Sequence, residues 1–414
     1  ASNNTAVGLS ALGANTTGTQ NVAVGSLALD ANTTANDNTA LGYNTLGANT
    51  TGAGNVAVGS LCLDANTTGA GNVGLGNGAL GANTTASNNT GLGHVALLSN
   101  TTGHSNVAVG ANALDANTTA SNNTAVGQTA LGACTEGHSN TAMGQGAAEN
   151  ITTGDHNVAI GRNSLGSQTT ADNNVAIGQS ALFANTTGTS NVAIGSNVLD
   201  ANTTASNNTG IGVNSLGANT TGNNNVAVGS SAASSVTTAL NTIAIGQSAL
   251  SSVTTGNKNI GVGNQAGNTI TTGANNMCLG ENAQPSSATV SNEIVLGNSN
   301  NGTLRCQTQT ISSLSDRRDK TNIEDCTDGL DLINNLKPRK FTWAMREPSA
   351  NDGKTELGFI AQELDEVLGN KNDYIHAVSH SNPNKLEASY GRFIPILVKA
   401  VQELSAKVTA LEAG

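Results

Sequence analysis

The stretch NVAIGRNSLGSQTTADNNVAIGQSALFANTTGTSNVAIG, residues 157–195, decides the fold. Its pentamer Asn157-Val158-Ala159-Ile160-Gly161 returns almost unchanged, ending at Gly178 and again at Gly195, so the glycines stand 17 residues apart. Followed outward in both directions, the same spacing runs without insertion from Gly8 to Gly297 and aligns eighteen glycines. A constant period means that each unit occupies the same length of structure and stacks on its predecessor. That is the signature of a solenoid.

The residue before each glycine is aliphatic or Met, and two positions earlier stands Val, Thr, Ile or Met, with Ala or Gly usually between them. Such alternation predicts a short strand in every unit. Four residues after the glycine a Leu recurs, from Leu12, Leu29 and Leu46 onward, with Ala148, Ala233, Gly267 and Gln284 as exceptions. A second short strand or a bend is expected to carry it inward. The Asn-Thr-Thr stretch that follows has the composition of a turn. One coil therefore has two inward segments, a bend at glycine and a polar return. It would bury about three aliphatic side chains at roughly 1.5–3 kcal/mol each. At about 4.8 Å per strand, eighteen coils would span roughly 86 Å.

Composition fits an extracellular or virion rod. Aromatic content is 2%, and only Tyr43 and Phe183 are aromatic before residue 305. Residues 1–304 hold two basic residues, Arg162 and Lys258, against eleven acidic ones. With no basic stripe to grip phosphates, nucleic acid is excluded as a partner. No apolar run of about 18 residues predicts membrane insertion. The chain opens in mid-repeat without a polar cap and is expected to be part of a longer fibre. Five scattered cysteines form no C-x-x-C pair and read as small buried substitutions. His376 and His380 lack a third ligand, so no metal and no cofactor is expected.

Asn occupies the site four before the glycine in 16 of 18 repeats, Thr242 and Glu293 excepted, and reads as a ladder of turn amides. The Asn-Thr-Thr triplets also match the N-glycosylation pattern. Their regular threonine rows raise the idea of an ice-binding face, against which adjacent threonines point to opposite sides of a strand. Acidic residues in the repeats are sparse and isolated, which argues against a glycan hydrolase carried on the rod.

Near residue 305 the repeats stop, charge rises, and Phe341, Trp343, Phe359, Tyr374, Tyr390 and Phe393 follow. This predicts three regions: a repeat solenoid over 1–304, a linker over 305–314, and a compact α+β domain over 315–414. Its tail reads as a helix from Tyr390 to Gly414. Leu397, Val401, Leu404, Val408 and Leu411 alternate at spacings of four and three, and Pro395 sits in the first turn. Such a seam wants partner helices.

The stretch Ser315-Asp316-Arg317-Arg318-Asp319-Lys320-Thr321-Asn322-Ile323, then Leu336 to Trp343, then Gly358-Phe359-Ile360-Ala361-Gln362-Glu363-Leu364, and finally this helix resemble the C-terminal intramolecular chaperone of phage tailspikes and fibres, the endosialidase-type self-cleaving Ser-Lys domain. The resemblance covers about 100 residues. It implies a homotrimer whose C-terminal domain promotes folding of the upstream stalk and then cuts the chain between Leu314 and Ser315. Ser315 would be the nucleophile and Lys320 its partner, with Asp316, Asn322, Gly358, Gln362 and Glu363 as supporting motif residues. A lysine takes the serine proton only if burial or neighbouring positive charge favours its neutral form, and Arg317 and Arg318 are near in sequence. Asp319 departs from the family pattern, where an apolar residue is common, and a carboxylate there favours the charged lysine. Gln362 reads as a hydrogen-bonding residue within the domain.

The repeat pentamers are similar to those in the heads of trimeric autotransporter adhesins, which are left-handed parallel β-rolls with a somewhat shorter unit. An intertwined triple β-helix is the other architecture the repeats allow. The resemblances imply a virion fibre or tailspike that attaches to a host-surface receptor or glycan, joined to other virion components through a preceding part. The alternative is a cell-surface adhesin or extracellular filament with the same assembly domain. Eighteen near-equal repeats also specify the stagger between chains poorly, because sliding by 17 residues alters only terminal contacts. A domain that clamps three C-termini would set the alignment.

Overall fold

The computed structural model describes residues 1–301, 315–344, 353–380 and 386–414. Two compact units result, Ala1–Leu296 and Gly297–Gly414. The first is a parallel β-solenoid. It has eighteen three-residue strands, from β1 (Thr5–Val7) to β18 (Ile294–Leu296), each paired in parallel with the strand one coil on. Seventeen complete turns separate them, and pairing keeps a 17-residue register throughout, as Val158 with Val175 and Ile160 with Ile177.

The alternation is real, but its inward member is the small residue. Ala23, Ala40, Ala57, Ala108 and Ala159 are fully buried at the strand centres, whereas the flanking Val22, Leu41, Val56 and Ile194 are 36–47% exposed. Each coil does bury about three aliphatic side chains, as Ala23, Ala28 and Leu29, but usually one of them is large, the Leu four after the glycine. The reason is space. A Cβ added to Gly74 would lie 2.4 Å from Cys62 Sγ, and one on Gly210 would lie 2.5 Å from Val198 Cγ1. Side chains of the preceding coil fill the lumen, so nothing larger than Ala fits at most strand centres.

The recurring Leu enters on a bend and not on a second strand. Leu29 has φ 53 and Leu199 φ 51, a left-handed conformation that costs an L-residue roughly 1–2 kcal/mol. Complete burial of the side chain, about 1.5–3 kcal/mol, offsets it. The backbone there is satisfied from the next coil, Leu29 N–H donating to Thr45 O at 3.1 Å. The glycine itself is required by geometry: Gly161 has φ +127, and a Cβ would stand 2.6 Å from Gly178 O.

Two buried amide ladders complete the interior. In one, Asn106 N–H donates to Asn89 Oδ1 at 2.9 Å, Asn106 Oδ1 accepts from Asn123 N–H at 2.9 Å, and its Nδ2 donates to Ala120 O at 2.8 Å. The other runs through the Asn-Thr-Thr asparagines, Asn83 Nδ2 reaching Asn66 Oδ1 at 2.9 Å. Asn32, Asn49, Asn66 and Asn83 among these asparagines are fully buried, so no glycan can be carried on them in the folded coil, while Asn15 in the first coil is half-buried. The first threonine of each triplet turns back on its neighbour, Thr33 Oγ1 donating to Thr50 O at 3.2 Å, so the two rows do not form one flat array.

The second unit is a small helix-and-sheet fold. Helix α1 (Leu330–Asn335) precedes a hairpin of β19 (Arg339–Thr342) and β20 (Thr355–Gly358). After it come α2 (Ala361–Leu368), α3 (Asn372–Ile375), the short pair β21 (Val378–Ser379) and β22 (Glu387–Ala388), and α4 (Ile394–Glu412). Leu332, Leu364, Leu368, Ile375, Phe393 and Ile396 form its core. The tail is a 3₁₀ turn over Tyr390–Phe393 that leads into α4, with Pro395 in the first turn.

Candidate functional site

Ser315 and Lys320 are brought together by a local turn. Asp316 caps a 3₁₀ turn over Arg317–Asp319, its carboxylate accepting from Arg318 N–H at 2.9 Å, and the Lys320 N–H closes the turn on Arg317 O. Five residues of chain thus fold back, and Lys320 Nζ lies 2.6 Å from Ser315 Oγ and 3.4 Å from Ser315 O. Both residues are exposed in the single chain. Leu314, the expected residue before the cut, lies outside the described residues, as does the rest of the expected linker 305–314.

The surrounding charges differ from the expectation. The Arg318 guanidinium grips Asp316 through Nε at 3.1 Å and Nη2 at 2.6 Å, so its charge is paired rather than turned on Lys320. That pairing holds the Asp316 carboxyl below the usual carboxylate range. Asp319 forms no ion pair with Lys320 among the described residues, its backbone N–H instead donating to Asp316 O at 3.2 Å.

The remaining motif residues gather elsewhere in the unit. Glu363 at the start of α2 takes the Arg339 fork at 2.9 and 2.7 Å, and Arg339 pairs in register with Gly358. Gly358 is there because a Cβ would meet Tyr390 Oη at 2.6 Å. That hydroxyl clamps the backbone of Phe359, accepting from its N–H at 3.0 Å and donating to its carbonyl at 3.2 Å. Asn322 takes φ 51 just after the Ser-Lys turn. Gln362 is exposed and makes no side-chain hydrogen bond among the described residues. No hydrogen bond among the described residues joins Gly358, Gln362 or Glu363 to Ser315 and Lys320.

Two features had no sequence signal. Asp328 receives both the Lys371 ammonium and the Tyr374 hydroxyl, the latter at 2.6 Å, and these bonds hold its carboxyl below the ordinary value. The Glu403 carboxylate of α4 accepts from Leu330 N–H at 2.8 Å and so caps α1. His376 caps α3 at φ 54 and His380 pairs with Asp365 at 3.0 Å, so the two do not share a helix face. Among the described residues no cluster of three potential metal ligands occurs. Burial pushes the Cys134 thiol up to about 11, in line with an inert interior residue.

The helix seam is open. Leu397, Val401, Leu404, Val408 and Leu411 are 45–82% exposed, while the adjoining side of α4 buries Ile396 and Ala400. Among the described residues no helix is long and apolar enough to cross a membrane.

The described residues thus form a repetitive parallel β-solenoid and a small unit that carries a Ser-Lys pair and a C-terminal helix with an exposed apolar seam. Residues 315–372 match the family model for the chaperone of endosialidase. No curated protein and no solved structure matches the chain. Solenoid and chaperone domain together fit a phage fibre or tailspike-like protein.

Proposed function

We propose that three copies of this chain form a fibre or tailspike that attaches to a host-surface receptor or glycan, and that the C-terminal unit aligns the copies and then releases itself. The observation that carries the release step is the 2.6 Å approach of Lys320 Nζ to Ser315 Oγ at the first residue of the family match. Ser315 Oγ attacks the Leu314 carbonyl while Lys320 takes its proton. The peptide C–N bond breaks, leaving an ester on Ser315 Oγ and a free Ser315 amine. Water then cleaves the ester, giving a Leu314 carboxylate and restoring the serine. Each chain performs this once.

Support for assembly comes from the two apolar surfaces that a single chain leaves in water, the α4 seam and the outward strand residues of the solenoid. Parallel pairing between distant residues is slow to form, so a template that holds three C-termini together has kinetic value. Intact mass and solution molar mass test both halves. The expected products are a fragment of residues 315–414 and an oligomer of three chains, with Ser315→Ala and Lys320→Ala abolishing the cut but not the oligomer. A persistent uncut chain, or a molar mass of 41.1 kDa, refutes the corresponding half.

A further inference from the structure

The outward strand face is uncharged throughout but not uniform in composition. Its two positions per coil carry no charged residue in any of the eighteen strands, although residues 1–304 hold thirteen charged side chains elsewhere. The position before the glycine is always aliphatic or Met. The position two before that is Thr in coils 1, 3, 6, 8, 9 and 13, namely Thr5, Thr39, Thr90, Thr124, Thr141 and Thr209, and aliphatic or Met in the other twelve. None of these six hydroxyls makes a side-chain hydrogen bond among the described residues, whereas those of the Asn-Thr-Thr turns, such as Thr50 and Thr67, donate to the next coil.

We propose that these six threonines are a stagger code, read by a second and third copy of the same chain packed along this face. The inference rests on the trimer reading given above. A cover for the whole face must repeat at the strand spacing over eighteen layers, and another copy of this solenoid does so. In-register copies place each threonine beside its equivalents, and three hydroxyls can each donate once and accept once. Slipped copies set Thr against an aliphatic residue and shut the hydroxyl away from water with no partner. The order of residues makes every short slip mismatched: nine of seventeen layers at one coil, seven of sixteen at two, and six of fifteen at three. An evenly alternating pattern would be blind to a slip of two coils. The irregular spacing removes that degeneracy, so the repeats themselves oppose the sliding that their common period permits.

The test uses the full chain with Cys306→Ser and Cys326→Ser, a nitroxide on the exposed Thr187→Cys, and inter-chain distances measured by dipolar spectroscopy after slow cooling from partial unfolding. Native threonines are expected to give one inter-chain distance, and so is the six-site Thr→Ser variant. The six-site Thr→Val variant is expected to add populations displaced along the axis by multiples of about 4.8 Å. If that variant does not fold, Thr90→Val with Thr124→Val and Thr141→Val is expected to give the same added populations at lower weight. A single unchanged distance in the valine variants overturns the code and leaves the trimer standing. A one-chain molar mass for the unsubstituted protein overturns the trimer instead.

Discussion

Replacing Asn106 by Ala removes one rung of the buried amide ladder, and the structure says what is orphaned. The Asn123 N–H loses the Oδ1 it donates to at 2.9 Å, whereas the Ala120 carbonyl loses the Nδ2 that reaches it at 2.8 Å but keeps Asn117 Nδ2 at 3.1 Å. Both residues are fully buried or nearly so, and no water reaches them. A buried polar group left without its partner costs about 1–3 kcal/mol, and the Asn123 N–H is the one such group. In a solenoid each coil contacts only its neighbours, so the loss should be local. Amide hydrogen exchange of the full chain is the appropriate assay, because it reads opening free energy segment by segment. Coils spanning residues 89–140 should exchange at least about fivefold faster, the equivalent of about 1 kcal/mol, with distant coils unchanged. Thr102→Ala, on an exposed residue without a side-chain hydrogen bond, serves as the control and should change little. An acceleration below about threefold in Asn106→Ala would show that the ladder is filler and that the lumen is held by Leu and Ala alone.

Thr242 marks a natural gap in the same ladder, its Oγ1 buried without a partner, so Thr242→Asn should slow exchange of the adjoining coils by about fivefold, roughly 1 kcal/mol. Gly161→Ala forces an L-residue into φ +127 with its Cβ 2.6 Å from Gly178 O and should lower the stability of the solenoid by about 2–4 kcal/mol in guanidinium unfolding followed by circular dichroism; a change under 0.5 kcal/mol refutes the steric argument. The two units should respond to acid with opposite slopes. Asp328 is held below the ordinary carboxylate value by Lys371 and Tyr374, so its contribution is present above that value and is lost as pH falls through the depressed one. Burial raises Asp64 and Asp200, so the cost of their charge is relieved as pH falls. Fluorescence of Trp343, the single tryptophan, should report loss of the C-terminal unit on acidification before the solenoid's circular dichroism changes, and Asp328→Asn should reduce that acid sensitivity.

The period and the parallel stacking are legible in the sequence because every coil restates them. What alternation does not carry is its sign. Val158-Ala159-Ile160 reads equally well with either set inside, and only the width of the lumen, which side chains of the preceding coil limit as Cys62 does at Gly74, decides that the small residue points in. The conformation of Leu165, at φ 50, is likewise invisible in a string, since propensity favours an extended or helical Leu and burial overrides it. In the C-terminal unit the Ser-Lys spacing could be read because the whole contact is made within six residues. The contacts Asp328–Lys371 and Leu330–Glu403 span 43 and 73 residues and belong to packing that no local pattern announces.

The same geometry orders the proposed events. Ser315 and Lys320 sit at hydrogen-bonding distance in the single chain, yet both are exposed, and a lysine serves as a base only where burial or neighbouring positive charge favours its neutral form. Arg318, paired with Asp316, cannot supply the repulsion that would favour the neutral amine. On the function proposed above, burial by neighbouring copies would favour that form, and cleavage would then follow assembly. Leu404→Asp separates the two orders of events. It places a charge on the α4 seam at a residue 50% exposed in the single chain, so the fold of one copy should survive while the oligomer does not. If burial activates the lysine, this variant should be both one-chain in molar mass and uncut, with native circular dichroism. A one-chain Leu404→Asp protein that still releases residues 315–414 at the unsubstituted rate would show that the pair acts unaided, and the link between alignment and release would fall.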